Sequence, residues 1–224
     1  MGDLGRRTLT AVVYGAVVLV AIVAPSFVLW LLLVLLAILG LTELVAFRAG
    51  PATALLALLF VAGLASLGAL RSYGPLGAHH GIAGELPVWI FAVLVPTWAA
   101  DIAAYLVGST LGRRKLAPRI SPGKTWEGTL AGFAACALVA LGVGALFGLP
   151  RPLVAILAVG LGPIGLGGDL FESYVKRRAG LKDSGTLLPG HGGVLDRLDS
   201  TVAASPFVLA CVWLASRGAL GGLG

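Results

Sequence analysis

Asp169, Glu172, Ser173 and Lys176 stand at i, i+3, i+4 and i+7, a spacing that puts four polar side chains on one face of a helix. They open a window, 168–200, that holds five of the ten carboxylates: Asp169, Glu172, Asp183, Asp196 and Asp199. The same window holds five of the sixteen Lys and Arg residues: Lys176, Arg177, Arg178, Lys182 and Arg197. Hard carboxylate oxygens suit magnesium, which takes one or two of them and completes its shell with water and substrate phosphate. Neighbouring lysines and arginines neutralise the remaining phosphate charge. A cluster of this composition fits phosphoryl or nucleotidyl transfer, where the protein positions groups and stabilises charge.

Three further features bear on that chemistry. Asp101 lies inside an apolar run, flanked by Trp98, Ala99, Ala100 and Ile102, with Tyr105 one turn later. A carboxylate there faces a bundle interior, binds a metal, or pairs with a cation to hold two helices together. Ser121-Pro122-Gly123-Lys124-Thr125 contains a GKT triplet but is not a P-loop, because Pro118 stands where the first glycine belongs and no strand is expected before it. Lys124 remains a candidate phosphate ligand. Pro189-Gly190-His191-Gly192-Gly193 supplies backbone that can approach phosphate closely, with His191 either a loop hydrogen-bond donor or a phosphate contact. The adjacent His79 and His80, with no third ligand nearby, read as a polar loop.

The surroundings of these residues are close to pure hydrocarbon. The chain is 58% hydrophobic and 12% charged, with a mean hydropathy of +0.99. Long apolar runs of this kind predict an all-α, polytopic transmembrane helical bundle, since only helices satisfy their backbone within such runs. Seven spans are expected, at 8–24, 26–47, 52–70, 86–109, 127–148, 152–175 and 200–217. The sixth carries Gly160, Gly162-Pro163, Gly165 and Gly167-Gly168, a pattern for a broken or kinked helix or for close backbone packing. Residues 1–85 form about three N-terminal spans; 86–224 form a catalytic region with polar loops 110–126 and 176–199.

With the N-terminus inside, thirteen Lys and Arg fall on the cytoplasmic side and three (Arg71, Arg151 and Arg217) outside. That positive-inside bias puts both polar loops in the cytoplasm, and the inner, or plasma, membrane is the expected location. It also accounts for a pI near 9.8 without nucleic acid, because the basic residues lie between apolar spans. Cys136 and Cys211 sit in apolar segments as small core residues.

Ser173, Lys176-Arg177, Lys182-Asp183, Gly185, Leu188-Pro189, His191-Gly192-Gly193, Asp196-Arg197 and Asp199 resemble the signature of the phosphatidate cytidylyltransferase family, filling every defined position of a 27-residue pattern. Asp101-Ile-Ala-Ala-Tyr105 with Gly108 and Gly112, and Ile120 through Gly128, look like two further blocks of that family. The resemblance covers about 98–200; the N-terminal hundred residues match only in hydrophobic character, and the chain looks shorter than members with eight or nine spans.

The resemblance implies a metal-dependent nucleotidyltransferase of phospholipid biosynthesis, making CDP-diacylglycerol and pyrophosphate from CTP and phosphatidate with one or two magnesium ions. It implies Asp169 and Asp196 as metal ligands with Asp101 in support, and Glu172 and Asp199 behind them. Lys182 joins Asp101, Asp169 and Asp196 as catalytic. Ser121, Lys124, Ser173, Lys176, Arg177, His191, Gly192, Gly193 and Arg197 would bind the phosphates of CTP or phosphatidate. Membrane lipids are expected partners, and a homodimer is raised by the same resemblance. A CDP-archaeol synthase, a polyprenol kinase or an ion-coupled transporter are the alternatives that the residues leave open.

Overall fold

The computed structural model describes residues 15–48, 50–74, 86–185 and 192–218. Helical backbone at 15–23 (α1) leads through Pro25 into α2 (Ser26–Leu44), followed by α3 (Pro51–Leu70) and α4 (Val88–Thr110). A short hairpin, β1 (Lys115–Ala117) and β2 (Ser121–Thr125), precedes α5 (Trp126–Leu146), α6 (Arg151–Arg178) and α7 (Leu195–Ser216). Among the described residues, six helices, α2 to α7, are long and apolar enough to cross a membrane. The chain is an all-α polytopic membrane protein. The start of the expected first span, with Arg6 and Arg7 before it, lies outside the described residues, as do His79, His80 and His191.

α7 is central, packing on α3, α4 and α6, while α4 pairs with α5 and α5 with α6. Trp89, Phe60, Leu153, Leu161, Leu195 and Val208 fill the interior, each under 2% exposed. Large apolar side chains such as Val20, Leu31, Leu58, Leu138 and Val159 point outward, as helices in lipid require.

Helix contacts in a membrane rest on small residues that let backbones approach. The pairing of α4 with α5 shows this directly. A Cβ on Gly128 would meet the Ala104 carbonyl oxygen at 2.6 Å and the Gly108 Cα at 2.9 Å. Both obstacles are backbone and cannot swing aside. Gly128→Ala is therefore expected to cost about 1–3 kcal/mol of stability, the usual range for overpacking. Thermal unfolding in detergent checks it through a melting temperature several degrees lower.

The glycines of α6 serve the same end. α6 runs unbroken for 28 residues, although Pro163 has no N–H to give the preceding turn. Its Gly168 lies where a Cβ would run into Ala203 and the Asp199 carbonyl, and its Gly162 lies against Phe133. Of the readings the glycine pattern allowed, close backbone packing describes α6, and a broken helix does not.

Two boundaries differ from expectation in ways that matter for the site. α6 extends to Arg178, and α7 begins at Leu195 where the sequence predicts a start at 200. The expected 176–199 loop is thus helix at its two ends, 176–178 and 195–199. Asp196, Arg197 and Asp199 belong to the first turns of α7, not to a loop. The 110–126 loop contains the antiparallel hairpin, with Lys115 opposite Thr125 and Ala117 opposite Ser121, so β2 bulges by two residues.

Candidate active site

The hairpin delivers Lys124. Glu127 tethers it: Glu127 Oε2 accepts from the Arg113 N–H at 3.1 Å, and both carboxylate oxygens accept from the Arg114 N–H at 3.2–3.3 Å. Trp126 N–H closes the ladder on the Arg114 carbonyl at 2.9 Å. Thr125 then caps α5, its Oγ1 accepting from the Gly128 N–H at 3.2 Å. With Thr125 fixed as the cap, Lys124 is aimed back at α6, where its ammonium pairs with Asp169 Oδ2. Ser173, one turn on, donates to Asp169 Oδ1 at 3.3 Å.

Lys124 and Asp169 lie in the wall of a cavity of about 550 Å³ between α4, α5, α6 and α7. Asp101 and Tyr105 line it from α4, and Asp196, Arg197 and Asp199 from the start of α7. Thr97, Ala100, Phe133, Leu161 and Leu166 line its other, mostly apolar, part. The volume is within the range of small-molecule sites, and apolar walls with a few convergent polar groups are their usual lining. Asp101 keeps an exposed side chain there, so it faces the cavity instead of being sealed against another helix.

Beside the cavity lies a second, buried cluster. Lys176, 7% exposed, pairs with Asp196 Oδ1 and stands 3.0 Å from Glu172 Oε1, which is in ion-pair contact without hydrogen-bond geometry. Asp196 Oδ2 accepts from Ser184 N–H at 2.8 Å, Ser184 Oγ at 2.9 Å and Gly193 N–H at 2.9 Å. Gly192, at φ +79°, makes the turn that brings Gly193 N–H to that oxygen.

The structure thus sorts the residues singled out by sequence. Asp101, Lys124, Asp169, Asp196, Arg197 and Asp199 come together at one cavity. Lys176 and Glu172 do not line it, because Lys176 is spent on Glu172 and Asp196, and Glu172 on Lys176. Asp196 reaches the wall with Oδ1 on Lys176 and Oδ2 on Ser184 and Gly193, and Asp169 with Oδ2 on Lys124 and Oδ1 on Ser173; Asp101 and Asp199 line the same wall. Arg177 is drawn elsewhere, donating to the Ile120 carbonyl at 3.2 Å and the Leu181 carbonyl at 2.8 Å, and so joins hairpin to loop. Lys182 is exposed, and Ser121 half-buried in β2; neither lines the cavity.

Sequence reasoning passed over Glu43, near the end of α2. Its Oε1 accepts from Val194 N–H at 2.7 Å and its Oε2 from Leu195 N–H at 3.1 Å, while the Ser184 hydroxyl shares its one proton between Glu43 Oε2 at 3.0 Å and Asp196 Oδ2 at 2.9 Å. Glu43 stands alone among apolar residues as the sole acidic residue between Asp3 and Glu85, and that isolation was the available signal.

The donor set at the cavity is all oxygen and suits magnesium. Among the described residues, no three His, Cys, Asp or Glu side chains are grouped to cage a metal unaided.

Residues 79–215, which include every residue lining the cavity, match the model of the cytidylyltransferase family. The chain belongs to that family. It is 46% identical to the phosphatidate cytidylyltransferase of Brucella suis over 170 residues, 75% of this chain and 59% of that protein. It is 47% identical to the phosphatidate cytidylyltransferase of Pseudomonas aeruginosa over 133 residues, 58% of this chain and 49% of that protein. Against the phosphatidate cytidylyltransferase of Bacillus subtilis the figures are 44% over 122 residues, 54% of this chain and 45% of that protein. The chain spans about half the length of the curated relatives it matches. Glu43 lies outside the part matched by the family model.

Proposed function

We propose that this family member makes CDP-diacylglycerol and pyrophosphate from CTP and phosphatidate, with the reaction in the cavity between α4, α5, α6 and α7. The observation that carries the reading is the character of that cavity. One part is apolar, lined by Ala100, Phe133, Leu161 and Leu166; the other carries Asp101, Lys124, Asp169, Arg197 and Asp199. Such a site suits a substrate pair of which one is a lipid and the other a soluble polyphosphate.

In this reading a phosphatidate oxygen attacks the α-phosphorus of CTP. A new P–O bond forms, the bond from the α-phosphorus to the bridging oxygen breaks, and pyrophosphate leaves with that electron pair. Phosphatidate is already an oxyanion at neutral pH, so no side chain has to remove a proton. Lys124 and Arg197 hold phosphate oxygens and offset the charge that builds on them. Asp169, with Asp101 in support, would hold magnesium, which when bound neutralises the triphosphate and the departing pyrophosphate. Asp196 and Lys176 set the start of α7 against α6 and do not touch substrate.

The cavity end of the bundle faces the cytoplasm, where CTP is found. Supporting this is the thirteen-to-three division of Lys and Arg between the two sides.

The test is product analysis. Purified protein in detergent, given CTP labelled at the α-phosphate, phosphatidate and magnesium, is expected to transfer the label to lipid and release pyrophosphate. Label released as soluble CDP would identify a CTP-dependent kinase instead. Movement of a solute across proteoliposomes without CTP turnover would identify a carrier.

A further inference from the structure

Glu43 sits on a helix outside the matched family region, yet its carboxylate is engaged entirely with the segment that carries the site. The need for it is physical. A helix begins with N–H groups that have no partner within the helix, and a side chain at the N-cap normally takes one of them. α7 begins after Val194, whose side chain has no acceptor, and no side-chain cap is present there. Glu43 fills that role from another helix, with one oxygen on Val194 N–H and the other on Leu195 N–H. A negative charge at a helix N-terminus is also favoured by the helix dipole.

What Glu43 holds is the first turn of α7, and Asp196, Arg197 and Asp199, which line the cavity, are all in its first two turns. Its second grip is Ser184, whose hydroxyl lies between Glu43 Oε2 at 3.0 Å and Asp196 Oδ2 at 2.9 Å. Gly185 and Gly193 close around the carboxylate: a Cβ on Gly185 would come within 3.0 Å of Glu43 Oε1, and one on Gly193 would run into Glu43 Oε2. The chain Glu43–Ser184–Asp196–Lys176–Glu172 therefore ties α2 to α6 through the start of α7.

We infer that Glu43 is a positioning residue for the nucleotidyl transfer, holding the first turns of α7 in register with Asp169 and acting on Asp196 through the Ser184 hydroxyl. The inference rests on the reading of the cavity given under Proposed function. It concerns a residue that touches neither substrate, and it assigns a catalytic consequence to the N-terminal helices.

The experiment compares wild type, Glu43→Gln, Ser184→Ala and the double variant by CTP- and phosphatidate-dependent pyrophosphate release. Rates are normalised to folded protein, measured by size-exclusion and thermal unfolding. Gln keeps the size of Glu but replaces one acceptor oxygen with an NH2 group that faces donors. Glu43→Gln is expected to lower kcat/KM at least about tenfold, since displacement of site groups by about 1 Å can cost on the order of a hundredfold. The double variant is expected within about threefold of the poorer single variant, because both changes break one connection. A merely structural Glu43 would instead give full activity per folded molecule, or losses that multiply; either result overturns the inference. Should Glu43→Gln fail to fold, Ser184→Ala decides: reduced kcat/KM at an unchanged melting temperature supports the inference, and full activity overturns it. An inactive wild type would strike at the proposed reaction, and an active wild type with an equally active Glu43→Gln at this inference alone.

Discussion

Asp169→Asn is expected to lower turnover of CTP and phosphatidate by about 10²–10³-fold or more while leaving the fold intact, the scale seen when one preorganised charge-stabilising group is removed. Its side chain and that of its partner Lys124 are 21% and 24% exposed. Ion pairs reached by solvent contribute only about 0–1 kcal/mol to stability. Asn fills the same space, and its carbonyl oxygen still accepts from Ser173. Little folding energy is at stake, so a large loss of rate would be chemical in origin. It would combine a lost metal ligand with a Lys124 no longer held at the cavity wall. Pyrophosphate release alongside a thermal unfolding curve separates the two effects. An Asp169→Asn protein within a few-fold of wild type would remove Asp169 from the site.

Lys176→Met has the largest expected effect on stability. Lys176 is the cation between Glu172, 1% exposed, and Asp196. Replacing it leaves two carboxylates side by side at a buried position with no cation on either. Removing one partner of a buried pair typically costs about 3–5 kcal/mol, because the remaining charge keeps its desolvation penalty without compensation. For a chain of this size that corresponds to a melting temperature about 10 °C lower. Methionine matches the length of the lysine stem, so lost packing contributes little. Additional Glu172→Gln should restore part of the loss, since it removes one of the two orphaned charges. A Lys176→Met protein as stable as wild type would mean that this cluster does not hold α6 to α7.

The contrast between these two lysines was out of reach of the sequence. Both Lys124 and Lys176 read as phosphate ligands from composition and from resemblance. Only the packing of α6 against α7 shows that Lys176 faces Asp196 and is consumed there, while Lys124 reaches the cavity from the hairpin. The helices themselves were legible, because 20-residue apolar runs have few other stable forms in lipid. The start of α7 was not. Leu195 to Asp199 carries three charged residues and resembles a loop, and its helical state draws on capping by Glu43, which is remote in sequence. The hairpin was hidden for a related reason. Ser-Pro-Gly-Lys-Thr has little strand preference, and the Glu127 carboxylate that gathers the Arg113 and Arg114 N–H groups lies beyond it. Asp101 was legible because a carboxylate in hydrocarbon calls for an explanation, and it does face the cavity.

The most direct measurement of the central claim is stoichiometric. With CTP, phosphatidate and magnesium supplied to purified wild-type protein, pyrophosphate released and CMP incorporated into lipid should rise together at one to one. Both should vanish when either substrate is omitted. Pyrophosphate release without lipid-linked CMP, or equal turnover in the absence of phosphatidate, would contradict the account.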